Sequence, residues 1–215
     1  MSTAPLEIDG VVRASQIEAD RRPADHPRSW GRALFAGRLA EVAGSGASAS
    51  LTWTLALIRQ TQADGEPAAW VTTEESAFFP PDVQNNGVDL AALPVVRVPD
   101  RKAAGRAADK LVRSGGFGLV VVDLVAAADS SEALPRPLQK RLLKHADRHE
   151  MGVVFVTDKS PEAPSIGSFV SLRLQTERTR HGANQFACRV EGVADNRGGP
   201  GWSDEEVFGG PPGLR

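Results

Sequence analysis

A short segment rich in glycine, serine and alanine, residues 43–52, holds the residue types closest to a chemical function. It lies between an apolar run and a helical pattern, where a phosphate-binding loop of the form Gly-x-x-x-x-Gly-Lys-Ser/Thr is expected. In such a loop backbone N–H groups surround the phosphates, the lysine reaches the β and γ oxygens, and the hydroxyl binds magnesium. The last three positions of the pattern are here Ala49, Ser50 and Leu51, so the lysine and the magnesium-binding hydroxyl are missing.

Two hydroxyl residues, Ser50 and Thr52, flank the position of the lost hydroxyl. Neighbouring residues on a helix point about 100° apart, so neither side chain replaces it. The sequence therefore predicts either a degenerate nucleotide-binding loop or a flexible turn of small residues without a ligand. The candidate residues of the loop are Gly44, Gly46, Ser48, Ser50 and Thr52.

Apolar runs alternate with helical patterns on both sides of this loop. Continuous apolar runs such as LVVVD are typical of parallel strands covered on both faces. The alternating segments SFVSLRLQTER and QFACRVEGVAD predict a terminal antiparallel hairpin. The elements indicate an α/β fold, a mostly parallel twisted sheet with helices on both faces and an antiparallel C-terminal hairpin. Strands are predicted at residues 38–44, 68–74, 95–99, 119–124 and 152–158, and helices at 51–63, 103–113 and 137–149.

The composition limits the setting and the chemistry. With 215 residues, of which 41% are hydrophobic and 24% charged, the chain is expected to form one folded domain with loose ends. A net charge of −2 gives no general attraction to nucleic acid. The single cysteine, Cys188, excludes an internal disulfide and a cysteine zinc cluster, and no metal is expected. The lack of a long apolar window or a signal pattern predicts a soluble, cytoplasmic protein without membrane contact.

The order of these segments resembles the bacterial recombinase RecA over residues 37–197. GRLAEVAGSGASASLTWTLALI is similar to the segment that carries the phosphate-binding loop of that family, and GVDLAALPVVRVPD to a connection that follows it. WVTTEE resembles the strand that delivers the family's catalytic glutamate, which implies that role for Glu74. RSGGFGLVVVDLVAAA is similar to the strand with a nucleotide-binding aspartate, here Asp123. VVFVTD resembles the strand that ends in a phosphate-sensing glutamine, here Asp158.

The resemblance implies a RecA-like core whose nucleotide site is degenerate. A carboxylate at Asp158 would repel a γ-phosphate where the family has a neutral amide. The family completes its ATP site across subunits with a Lys-x-Lys pair, and the matching residues 194–196 are here Ala-Asp-Asn. We therefore expect no catalytic residue, no ATP hydrolysis and no cofactor. The alternative roles are a turn or helix-capping residue for Asp123 and a solvated side chain for Glu74.

The two loops that hold DNA in RecA correspond to short segments here, residues 126–136 and 159–168, and the second contains Pro161 and Pro164. Direct DNA contact is therefore expected to be weak or absent. A basic surface remains, because four cations recur every four residues on the third predicted helix. It is predicted to be either a solvated helix face or a contact for acidic partners or DNA. Its residues are Arg136, Lys140, Lys144 and Arg148.

A RecA-like core with short DNA loops, a degenerate nucleotide site and a basic arm resembles the ImuA group of SulA-like and RecA-like proteins. The resemblance implies a non-catalytic adaptor in DNA-damage-induced (SOS) translesion mutagenesis. Its partners would be RecA and an ImuB-like protein with its associated error-prone polymerase. Two alternatives stay open: a divergent ATP-binding regulator or ATPase, and a SulA-like cell-division interaction protein. Self-association is compatible with all three.

The two ends of the chain are explained least by this resemblance. Residues 1–36 are predicted to be an N-terminal arm or docking helix, residues 37–197 the core domain, and residues 198–215 a largely irregular tail rich in Gly and Pro. Apolar side chains in both ends are candidate anchors for a partner groove. They are Leu6, Ile8, Trp202 and Phe208. The alternative is that both ends are disordered.

Overall fold

The computed structural model describes residues 30–76, 78–127 and 133–210, which form one eight-stranded sheet with helices on both faces. The spatial strand order is β3-β2-β4-β5-β1-β6-β7-β8. Strands β1 to β6 pair in parallel, and β7 and β8 are added antiparallel. The strands are β1 (Arg38–Ala43), β2 (Ala68–Thr73), β3 (Val95–Val98), β4 (Leu119–Asp123), β5 (Gly152–Thr157), β6 (Val170–Gly182), β7 (Gln185–Asp195) and β8 (Ser203–Gly209).

Five α-helices are present in the described part of the chain, together with a short 3-10 turn at Leu90–Ala92. The three longer helices begin and end within two residues of the predicted bounds. The α/β fold with a mostly parallel sheet and a C-terminal antiparallel hairpin is confirmed. The helices are α1 (Arg32–Phe35), α2 (Ser50–Ala63), α3 (Pro80–Asn85), α4 (Arg101–Ser114) and α5 (Arg136–Arg148).

The core lies on both faces of the sheet because side chains alternate along each strand. On one face Val42 of β1 belongs to a cluster with Trp53 of α2. On the other face Leu39 of β1 belongs to a cluster with Ala108 of α4 and Leu142 of α5. The sheet is therefore covered by α2 on the side of the candidate loop and by α4 and α5 on the opposite side.

Helix α4 has clear stop and start signals. The Asp100 carboxylate accepts a hydrogen bond of 2.6 Å from the Ala103 N–H and caps the first turn. At the other end Gly115 adopts a left-handed conformation with φ of 67°, which glycine tolerates at a helix C-terminus. Both ends of the helix are thus defined locally, which explains why its position could be predicted from the sequence.

The C-terminal segment is not the irregular tail that the sequence predicts. Residues 203–209 form β8, which pairs antiparallel with β7. Trp202 lies over Gly192, where a Cβ atom would be 2.6 Å from the indole Nε1, and the Phe208 ring lies 5.7 Å from that of Trp53. The expectation of a largely irregular tail is wrong, because residues 203–209 extend the sheet. Trp202 and Phe208, two of the predicted anchors, are partly buried and pack against the core.

The N-terminal boundary also differs from the prediction. The Trp30 ring lies 4.9 Å from Trp53 and 5.1 Å from Phe35, which is only 1% exposed. The Trp30 N–H also donates a hydrogen bond of 3.4 Å to the Asp204 carboxylate of β8. Residues 30–36 therefore belong to the core and not to a separate arm. The predicted anchors Leu6 and Ile8 lie outside the described residues.

Strand β1 carries a carboxylate, Glu41, that is fully buried. Its oxygens accept three hydrogen bonds from the end of β5 and from the loop at residues 158–169. Because a buried carboxylate is costly without such partners, the loop is tied to the centre of the sheet. The donors are Thr157 Oγ1 at 3.0 Å, Ser165 Oγ at 2.8 Å and the Ile166 N–H at 3.0 Å.

Two cations face the same carboxylate. Lys159 Nζ lies 3.6 Å and Arg173 Nε lies 3.8 Å from the Glu41 oxygens. Burial lowers the pKa of Lys159, and the charge of Glu41 acts in the opposite direction. The ammonium also donates a hydrogen bond to the Pro164 carbonyl at 2.9 Å. One buried charge cluster therefore joins β1, β6 and the loop.

Replacing Glu41 with alanine should destabilise the fold by about 3–5 kcal/mol, because it leaves the buried Lys159 without its counter-charge. Urea unfolding followed by circular dichroism measures the change. Glu177→Ala, at an exposed position of β6, is the matched control and should change stability by less than about 0.5 kcal/mol. Equal losses in the two variants would contradict a structural role of the cluster.

Candidate functional site

The candidate phosphate-binding loop joins β1 to α2 and is held at both sides by backbone hydrogen bonds. The Gly44 N–H donates to the Thr157 carbonyl at 3.3 Å, and the Arg178 N–H donates to the Ala47 carbonyl at 2.8 Å. Gly46, at the exposed tip, has a φ of 63°. Strand β6 thus extends alongside the loop and contributes to its shape.

The Ser48 side chain occupies the inside of the loop. Its hydroxyl accepts a hydrogen bond of 3.0 Å from the Ser50 N–H and donates one of 3.0 Å to the Ser50 hydroxyl. It lies 3.2 Å from Thr176 Oγ1, and a Cβ atom at Gly44 would overlap it. The N–H of Ser50, at the position of the family's lysine, is therefore already bonded within the loop.

The first turn of α2 contains Ser50 and Leu51, which stand where the family has its lysine and its magnesium-binding hydroxyl, and the next residue, Thr52. Ser50 is 4% exposed, whereas Leu51, at the position expected to bind magnesium, is 44% exposed. Thr52 lines the adjacent cavity. Helix α2 has no side-chain cap and no acidic residue in its first turn.

Asp123 lies at the end of β4 and is only 3% exposed. One carboxylate oxygen accepts hydrogen bonds from Thr72 Oγ1 at 3.0 Å and Ser76 Oγ at 2.6 Å. The other accepts the Val125 N–H at 3.1 Å. These contacts hold the turns that follow β2 and β4, as in the turn-capping alternative.

A cavity of about 920 Å³ lies beside the loop, between α2, α3 and the strands β6 to β8. Asp123, Glu75 and Arg178 are among its charged lining residues. The described part of the chain has four exposed large hydrophobic side chains, and three of them line this cavity. The cavity is therefore partly apolar at its opening. The three are Leu51, Phe79 and Val125.

Of the three acidic residues predicted for the nucleotide site, only one lines the cavity. Asp123 lines the cavity, but Glu74 and Asp158 are exposed and are not among its lining residues. The Glu74 N–H bonds to the Val98 carbonyl at 3.0 Å, which continues the ladder between β2 and β3. The next residue, Glu75, lines the cavity instead. The sequence offered no signal to choose between two adjacent glutamates at a strand end.

The single cysteine lines the same cavity from β7. Cys188 is 1% exposed and belongs to the core cluster. Burial raises the pKa of its thiol, which favours the protonated form over the reactive thiolate. Its surroundings are those of a core residue.

The predicted basic stripe is present on α5, on the opposite side of the sheet from the loop. All four of its side chains are exposed. The Arg136 guanidinium and the Lys140 ammonium lie 5.8 Å and 5.9 Å from the centre of the Phe169 ring. The stripe is Arg136, Lys140, Lys144 and Arg148.

Two further features are absent from residues 30–76, 78–127 and 133–210. Within these ranges no group of three or more His, Cys, Asp and Glu side chains could hold a metal ion. No helix in them is long and apolar enough to cross a membrane.

The chain belongs to the RecA N-terminal domain family, whose model matches residues 31–162. It is similar to protein RecA of Acinetobacter baumannii, with 31% identity over 170 residues that cover 66% of this chain and 48% of that protein. Against protein RecA of Methylococcus capsulatus the identity is 38% over 119 residues, 52% of this chain and 34% of that protein. The match to protein RecA of Caulobacter vibrioides is 31% over 175 residues. The chain spans about half the length, or less, of these curated relatives.

Replacing Ser48 with alanine should loosen the loop, because the Ser50 N–H loses its acceptor. The expected cost is about 1 kcal/mol of stability, with faster hydrogen exchange at the Ser50 amide. Exchange measured by NMR or mass spectrometry checks the result. Ser45→Ala, at an exposed position of the same loop, is the control. Unchanged exchange in Ser48→Ala would show that the hydroxyl does not fix the loop.

Proposed function

We propose that this chain is a non-catalytic adaptor that binds protein partners and does not hydrolyse ATP. The observation that carries the proposal is the position of the Ser48 hydroxyl, which takes the Ser50 N–H inside the loop. Phosphate binding needs these N–H groups to point at the ligand. A loop bonded to its own side chain must first open before it can accept a phosphate.

The charges around the loop also disfavour a nucleotide. Ser50 stands where the family has its lysine, so the loop itself carries no cation. The charged side chains that line the neighbouring cavity are three carboxylates and two guanidinium groups: Glu75, Asp82, Asp123, Arg59 and Arg178. Phosphoryl transfer depends on cations that neutralise the charge developing on the phosphates. Carboxylates near an unneutralised triphosphate would instead repel it.

The apolar opening of the cavity suits a protein partner better than a triphosphate. Leu51 and Phe79 are 44% and 57% exposed there. Exposed apolar groups that cluster at a cavity often mark interaction sites. Leu51, which replaces a magnesium-binding hydroxyl, gives that position an apolar surface.

For the cellular role we propose an adaptor in SOS translesion mutagenesis that contacts RecA and an ImuB-like protein with its polymerase. Membership of the RecA N-terminal domain family supports a link to DNA repair. The loop at residues 158–169 is short and tied to Glu41. Such a loop suits protein binding better than the mobile DNA grip implied by the resemblance to RecA.

The purified chain should neither turn over ATP above background nor gain thermal stability from millimolar ATP with magnesium. A ligand at 100 times its dissociation constant would stabilise the fold by about 2.7 kcal/mol, which a melting curve detects. A RecA protein with an intact loop is the positive control. Turnover above background, or a rise in melting temperature with ATP, would favour the ATP-binding alternative. Loss of either signal in Asp123→Asn would then place the nucleotide in the cavity that Asp123 lines.

Binding to RecA and to an ImuB-like protein should be measurable by biolayer interferometry with the full chain. The double variant Leu6→Asp/Ile8→Asp should weaken it about tenfold, or about 1.4 kcal/mol, because apolar anchors dominate small interfaces. The matched control is Thr3→Asp/Ala4→Asp. If the full chain binds neither partner, the adaptor role is wrong. If both variants bind like the parent chain, the contact lies on the core.

A further inference from the structure

A second cavity, of about 610 Å³, lies on the opposite side of the sheet between the starts of α4 and α5. Most of its lining is apolar. Leu134 and Leu138 contribute from the α5 side, and Pro99 from the end of β3. The cavity is within the range of about 300–1,000 Å³ that ligand sites usually have.

The position of Leu138 is set by the close contact between the two helices. A Cβ atom at Gly105 of α4 would lie 2.7 Å from Leu138 Cδ2. Glycine at this position therefore lets Leu138 approach α4. The Gln139 side chain in turn accepts a hydrogen bond of 3.0 Å from the Phe169 N–H, which fixes the start of α5 against the sheet. The apolar wall is thus built from packed helices.

The rim of this cavity is basic. Four basic and two acidic side chains line it, and one of the acids, Asp100, caps α4 through its carboxylate. Lys102 and Arg106 are exposed, and neither has an ion-pair partner in the described part of the chain. Arg141 makes one exposed pair of 3.2 Å with Asp109.

The positive charge extends beyond the rim along both helices. On α4, as on α5, exposed cations recur every three or four residues. Both helices cover the same face of the sheet. Nine exposed cations therefore lie on these two helices, in a chain whose net charge is −2. They are Lys102, Arg106, Lys110 and Arg113 on α4, and Arg136, Lys140, Arg141, Lys144 and Arg148 on α5.

One polar atom inside the cavity wall lacks a partner. Thr73, at the end of β2, lines the cavity and is 2% exposed. Its hydroxyl has no hydrogen-bond partner among the described residues. A buried hydroxyl without a partner is uncommon in folded proteins. A backbone group of a bound peptide could supply the missing hydrogen bond.

We propose that this cavity binds an acidic peptide segment of a partner protein. A leucine- or phenylalanine-sized side chain enters the apolar cavity, and flanking carboxylates contact Lys102 and Arg106. Nucleic acid fits less well, because its phosphates would satisfy the cations but offer no aliphatic group to the lining. The proposal goes beyond the adaptor role above, since it needs neither RecA nor a degenerate nucleotide site.

Fluorescence anisotropy tests the proposal with the full chain and a dye-labelled ten-residue peptide of Asp and Glu that contains one Leu and one Phe. Binding is expected at low salt. The same peptide with both apolar residues replaced by serine should bind at least about tenfold more weakly. A labelled oligo-dT of 20 nucleotides is the third probe and should bind more weakly than the first peptide.

Two charge reversals locate the contact. Arg106→Glu, on the rim, should weaken peptide binding about tenfold. Lys144→Glu lies on the same basic face but away from the cavity, and it should weaken binding less than about threefold. Both side chains are exposed, and circular dichroism checks that the variants fold. Lys102→Glu replaces Arg106→Glu if the latter does not fold.

The proposal is overturned by any of four results. The first is that the full chain does not bind the acidic peptide, and the second is that the serine peptide binds as tightly as the parent peptide. The third is an equal loss of affinity in the rim and control variants. The fourth is tighter binding of the oligonucleotide than of the peptide. The third result would indicate a diffuse electrostatic attraction, and the fourth a nucleic-acid surface. None of them bears on whether the chain binds RecA or ATP.

Discussion

The buried carboxylate of Glu41 is the constraint on which this structure depends most. It lies on the central parallel strands, where water cannot solvate it, so every oxygen lone pair must be satisfied by the protein. The partners come from β5, from the loop at residues 158–169 and from β6. The carboxylate therefore determines where that loop lies. A loop held in this way is part of the core, although its sequence, with Pro161 and Pro164, is that of a surface connection.

Strand β6 also fixes the candidate phosphate-binding loop, which joins β1 to α2. Thr176 donates a hydrogen bond to the Ala43 carbonyl at 3.0 Å and contacts the Ser48 hydroxyl. The Arg178 N–H holds Ala47. The loop between β1 and α2 and the loop after β5 are thus both fixed by side-chain and backbone groups of β1 and β6. The resemblance to RecA implies ligand contacts at these two loops. In this chain both loops are instead held by internal hydrogen bonds.

The sequence predicted the order of strands and helices well because those signals are local. Helix α4 shows this, with an Asp cap, an apolar face and a terminal Gly115 all readable from neighbouring residues. The strand β8 was missed, because Gly and Pro surround it and its pairing with β7 is a tertiary contact. The candidate site was predicted only in part for a similar reason. The hydrogen bonds of Asp123 to Thr72 and Ser76 join residues about 50 positions apart, and the choice of Glu75 over Glu74 depends on the turn after β2.

Strand β8 ends the sheet with a negatively charged border. Asp204, Glu205 and Glu206 follow one another along it, and the Asp204 carboxylate accepts the N–H groups of Glu205 and of Trp30. An unprotected terminal strand is a template for edge-to-edge aggregation. Two β8 borders brought together would place like charges opposite each other, which is unfavourable. The acidic run that resembles a solvated tail in the sequence therefore protects the protein against growth into a continuous intermolecular sheet.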